Sequence, residues 1–141
     1  MDNTPEYLRY VMKDKLYQIT VTGEQLHLIA QALEDWSRFL CGQTELQNST
    51  SMLPDYLLIK DKLESLQPLV TPELPPGASY GWNGGSCPNE RQRKSIAMSY
   101  GIYREIYHFL TVRDGRTMST YASPTLRCPE QGPLIDIKEL Q

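Results

Sequence analysis

The chain has 141 residues, of which 40% are hydrophobic and 22% charged, and a formal net charge of −3. A single globular domain of this size buries roughly two-thirds of its extended-chain surface, so it needs neither a metal nor a disulfide to hold a core. The composition argues against wholesale disorder, the apolar runs are too short for a membrane span, and MDNTPEYLRY lacks the apolar core of a signal peptide.

Residues 15–22, KLYQITVT, place Tyr17, Ile19 and Val21 on one face and Gln18 and Thr20 on the other. This alternation predicts a half-buried strand. Thr22-Gly-Glu-Gln25 follows as a capping box, and the helix it starts should run to about Cys41 and stop at Gly42. Leu26, Ile29, Leu33, Trp36 and Leu40 recur at three- and four-residue steps, giving one core-facing stripe. Residues 43–51, QTELQNSTS, read as a polar loop. A second helix is expected from about Ser51 to Gln67, with Pro54 in its first turn, Leu53, Leu57, Leu63 and Leu66 inward, and Pro68 ending it.

From Pro68 to Pro88 the chain carries five prolines and four glycines, which excludes a helix or a central strand. A loop of that length inside a compact domain is usually functional or disordered, and Tyr80 and Trp82 favour an ordered one. A third helix should run from Asn89 to about Leu110, burying Ile96, Tyr100, Tyr103, Ile106 or Tyr107, and Leu110. Arg113-Asp-Gly-Arg116 then carries the pair favoured by tight type I′ turns, so a hairpin over 111–121 is expected to join the first strand. The fold class expected from these elements is α+β, three main helices with a small antiparallel sheet. The core spans about 15–121, and an extended tail, 122–141, offers an edge strand.

Charge is distributed unevenly. Residues 1–90 sum to −6, residues 91–116 to +4 and residues 117–141 to −1. A short basic segment suits a small anionic ligand better than a long nucleic acid, which would want a continuous basic face. The cysteines, Cys41, Cys87 and Cys128, are odd in number and widely spaced, with no C-x-x-C, and only His27 and His108 accompany them. Such usage points to a reducing cytoplasm, with no metal and no cofactor.

The basic segment belongs to YGWNGGSCPNERQRK, residues 80–94. Cations in a first helical turn oppose the helix dipole unless a negative group sits with them. Gly84 and Gly85 can turn successive amides into one concavity, and a helix N-terminus lies directly behind. Arg91, Arg93 and Lys94 add charge there, while Tyr80 and Trp82 supply faces on which a base could stack. These parts would fit a nucleotide, with Arg104 and Tyr107 as further candidate contacts. No G-x-x-x-x-G-K-[ST] or G-x-G-x-x-G spacing occurs. The competing reading makes the glycine pair an ordinary turn, Trp82 a plug over the core and RQRK a solvated face. A thiol–imidazole pair of Cys87 and His108 is disfavoured, because 21 residues of intervening helix separate them by roughly 30 Å. Binding without turnover is therefore expected.

The stretch LVTPELPPGASYGWNGGSCPNERQRKSIAMSYGIYREIYHFL, with ALEDWSRFLCGQTELQNSTSML before it, resembles a family of small uncharacterised proteins from phages and prophages of gut anaerobes. The likeness covers about residues 15–110. It implies a setting of phage infection, inside the cytoplasm of a bacterial host, and brings no catalytic motif. In that setting, the expected function is anti-defence sequestration of a nucleotide immune signal, either a cyclic oligonucleotide or an ADP-ribose derivative, by a homo-oligomer. The alternative is a protein inhibitor or regulator that docks on a host protein through the 68–88 loop.

Overall fold

The computed structural model describes residues 15–114, 119–120, 123–124 and 135–140. The backbone is organised by two long helices, α1 (Gly23–Leu40) and α5 (Glu90–Asp114). Between them lie three short ones, α2 (Gln47–Thr50), α3 (Tyr56–Glu64) and α4 (Gln67–Val70).

α1 starts as its capping box dictates: the Thr22 hydroxyl accepts from Gln25 N at 3.1 Å, and the Gln25 side chain accepts from Thr22 N at 2.9 Å. Its core side packs against α5, where Ala30, Tyr103, Ile106 and Tyr107 form a buried cluster flanked by Leu26, Ile29 and Leu33. The stripe deviates from the expected one at its far end. Trp36 is 48% exposed and stacks on Phe39, whereas Ser37 is buried and its hydroxyl donates to Ile96 O. A small polar side chain at the crossing lets α5 approach closely, a role that apolar periodicity does not reveal.

The α+β expectation is overturned, because the described architecture is helical. Residues 15–22 carry no regular structure and form no strand, with Leu16, Tyr17 and Ile19 largely exposed. α5 continues through Asp114, carrying the residues expected to start the hairpin into its last turn. Beyond it, Ser119–Thr120 and Ser123–Pro124 meet in a ladder of two residues on each side, β1 and β2, too short to make a layer. The rest of the 111–121 hairpin lies outside the described residues. The described part of the tail, 135–140, forms no strand, and it lays Ile135 and Ile137 on the α1–α5 core.

The middle of the chain also departs from expectation. The polar loop contains α2, whose N-terminus is capped from a distance: the Asp35 carboxylate accepts from Asn48 N at 3.1 Å and from Ser49 N at 2.7 Å. The expected helix over 51–67 is split. α3 begins only at Tyr56, leaving Pro54 outside it, and Pro68 sits in the first turn of α4 instead of stopping a helix. Both prolines occupy positions where a missing N–H costs nothing, so the split is compatible with their chemistry. Leu53 and Leu57, expected inward, are exposed.

Candidate functional site

The 71–89 loop has no regular structure, yet it is pinned at several points. Tyr80 N donates to Cys41 O at 3.0 Å. Gln92 on α5 donates through Nε2 to Leu40 O at 2.8 Å and to Val70 O at 3.1 Å, tying the ends of α1 and α4 to one side chain. Under this strap lies a second core of Cys41, Tyr80, Cys87 and Ile96, with Leu40 and Leu74 against it. Burial raises the Cys41 thiol pKa above its ordinary value.

The glycine pair bends as expected but leaves less open than a nest would need. Gly84 and Gly85 have φ of +82° and +43°. A Cβ on Gly85 would stand 2.4 Å from Tyr80 O, and one on Gly84 2.6 Å from the Arg93 Cγ. Both positions therefore require glycine for space as well as for φ. Their amides are used within the loop, with Gly84 N donating to Gly81 O at 3.1 Å and Gly85 N to Asn83 Oδ1 at 2.9 Å. The start of α5 is capped by Asn89, whose Oδ1 accepts from Gln92 N at 3.0 Å.

Arg93 and Lys94 have acceptors inside the protein. Arg93 Nη1 donates to Cys87 O at 3.2 Å, and Lys94 Nζ pairs with Glu90 Oε1 at 3.1 Å on the surface. Lys94, then Arg93, hold the Glu90 carboxyl below its ordinary pKa. The first-turn cations are thus partly explained by the protein's own acid and carbonyl. Arg91 is exposed at the same helix start.

The aromatic candidates separate. Tyr80 is buried and its hydroxyl donates to Glu73, so its ring faces the core. Trp82 is half-buried and lies against Tyr100, ring centroids 5.4 Å apart and tilted by 38°. The Arg104 guanidinium sits 5.5 Å from the centre of the same Tyr100 ring. Arg93, Tyr100 and Arg104 follow at seven- and four-residue steps, which places them along one face of α5. Trp82, Tyr100 and Arg104 therefore form a continuous half-buried ledge, bordered at the helix start by Arg93. The four-residue step from Tyr100 to Arg104 is the sequence signal for this contact.

Tyr107 stands apart from that ledge. The row continues from Tyr100 to Tyr103 at 5.3 Å and to Tyr107 at 5.8 Å, both edge-to-face, and ends at His27. Tyr107 is buried, and its hydroxyl donates to Glu34 Oε1 at 3.1 Å. Glu34 also accepts from Asn48 Nδ2 at 2.7 Å and pairs with Arg38 at 2.9 Å. Burial, then the Glu34 charge, push the Tyr107 phenol pKa well above its ordinary range, and the same causes act on Tyr103. This buried polar network locks α1, α2 and α5 together.

No family model, curated protein or solved structure matches this chain. Among the described residues, no helix is long and apolar enough to cross a membrane.

Proposed function

We propose that the chain is a non-catalytic binding protein that sequesters a phosphate-bearing nucleotide signal, with phage anti-defence inside the host cytoplasm as the setting implied by the family resemblance. The observation that carries this reading is the ledge of Trp82, Tyr100 and Arg104. Two aromatic rings in contact, with a guanidinium over one of them, offer an aromatic, cation-edged surface on which stacking a base is worth about 1–3 kcal/mol. Arg91, Arg93 and Lys94 lie toward the start of the same helix, where a phosphate would also meet the positive end of the dipole. Gly84 and Gly85 serve the site by letting the loop turn tightly enough to hold Trp82 on Tyr100. Tyr80 and Tyr107, expected as ligand contacts, are buried and lie outside this surface.

The test is a thermal-shift screen against cyclic dinucleotides, cyclic trinucleotides and ADP-ribose derivatives. A ligand at one hundred times its Kd stabilises the fold by about 2.7 kcal/mol, a shift of several degrees for this size. A selective shift that vanishes in Trp82→Leu and in the Arg91→Ala, Arg104→Ala double variant is expected. A flat screen with folded protein would contradict the reading.

A second reading, docking on a host protein through the 68–88 segment, draws on Leu69, which is 79% exposed on α4 just before the irregular loop. It predicts that Leu69→Asp abolishes activity in infection while leaving any ligand shift intact.

A further inference from the structure

α3 is the helix the fold uses least. Nine residues are marginal as a helix in water and need a packed face to persist, yet α3 contains no fully buried residue. Tyr56, Ile59, Lys60 and Leu63 are half-buried against the body of the protein. The opposite side presents Leu57 at 76% and Leu58 at 57% exposure. Two adjacent exposed leucines give this helix an apolar face that a partner could cover.

The charges around Leu58 indicate which molecule. Asp55, Leu58 and Lys62 fall at i, i+3 and i+7, so they share one stripe of the helix, and all three are exposed. Asp55 precedes the helix without capping it through its side chain, and the ion pair on this helix joins Lys60 to Glu64 at 3.7 Å instead. Neither Asp55 nor Lys62 has an ion-pair partner among the described residues. An acid, a leucine and a lysine in that order are self-complementary when two copies run antiparallel. Leucine then meets leucine at the centre, and each aspartate faces the other copy's lysine. A parallel pair would oppose like charges, and antiparallel alignment also opposes the helix dipoles favourably. A two-fold arrangement makes every such contact twice.

We propose that α3 is a homodimer interface, in which two copies pack this helix antiparallel about an axis beside Leu58, with Asp55 of each against Lys62 of the other. The proposal stands independently of the nucleotide reading. The helix is only about 14 Å long, so the contact is smaller than a standard interface and the dimer is of the weak, reversible class.

Sedimentation equilibrium of the full chain, from about 1 µM to about 1 mM, tests it. Wild type should pass from monomer to dimer across that range. Leu58→Asp, at an exposed position, should leave circular dichroism and Tm unchanged and keep the chain monomeric. Asp55→Lys and Lys62→Asp should each weaken the dimer roughly tenfold, because each disturbs two ion pairs at once. The double reversal should return the wild-type constant. A wild-type chain that stays monomeric at about 1 mM, a dimer indifferent to Leu58→Asp, or a double reversal without rescue would each overturn the proposal.

Discussion

Replacing Gly85 by alanine probes the geometry on which the ledge depends. Two costs arise together. A non-glycine residue at positive φ costs about 1–2 kcal/mol, and the new Cβ would lie 2.4 Å from Tyr80 O, a backbone atom that cannot swing aside. Relieving such overpacking costs about 1–3 kcal/mol more, for a sum of about 2–5 kcal/mol and a fall in Tm of roughly 10 °C. Gly77→Ala is the internal control. Its φ is +82°, but nothing lies within 4 Å of the added Cβ, so only the conformational cost applies. Thermal unfolding reads both variants. The two tryptophans, Trp36 and Trp82, allow a second readout: in a Trp36→Phe background, Trp82 emission should shift toward the red in Gly85→Ala, as the ring leaves Tyr100. Equal Tm values for the two variants, or unchanged emission, would refute the argument that Gly85 holds the loop.

Two further predictions concern the buried polar network. Asp35→Ala removes the acceptor for two α2 amides and the Ser49 hydroxyl. It should cost about 2–4 kcal/mol in denaturant unfolding, with Asp35→Asn recovering part of the loss. Tyr103 and Tyr107 have folded pKa values above the ordinary 10.0. For a raised pKa, the stability contribution is complete below pH 10 and is lost as pH rises through the folded values. Phenolate absorbance should therefore show these two tyrosines ionising only with unfolding, and Tyr107→Phe should flatten the alkaline loss of stability.

The long helices were legible because their signals are local. A capping box, a stripe at helical spacing and an Asn before an acid-led turn are each written within a few residues. The middle was not, because its organisation comes from a distance. Asp35 on α1 nucleates α2 across 13 or 14 residues, which no pattern in QTELQNSTS announces. The 15–22 alternation is a true strand pattern, but a strand needs a paired neighbour, and α5 absorbs Arg113 and Asp114, the first half of the turn that was to supply it. Pro54 and Pro68 were both recognised as helix punctuation; only the side of each proline on which a helix begins was misread.

The candidate site was legible in part for the same reason. YGWNGG announced a tight turn bearing an aromatic residue, and the turn forms. What the sequence could not show is that Tyr80 faces inward toward Glu73, that Arg93 closes on Cys87 O, and that Gly81 O and Asn83 Oδ1 take up the Gly84 and Gly85 N–H groups. The surface that remains is set by tertiary packing of Trp82 on Tyr100.

The central claim, binding without turnover at that surface, is tested most directly by recovery. The protein is mixed with the ligand that shifts its Tm, freed of unbound ligand by gel filtration, heat-denatured, and the released material analysed by chromatography. Intact ligand in stoichiometric amount from wild type, and none retained by Trp82→Leu, is the predicted result. Release of cleavage products, or equal retention by both proteins, would contradict the account.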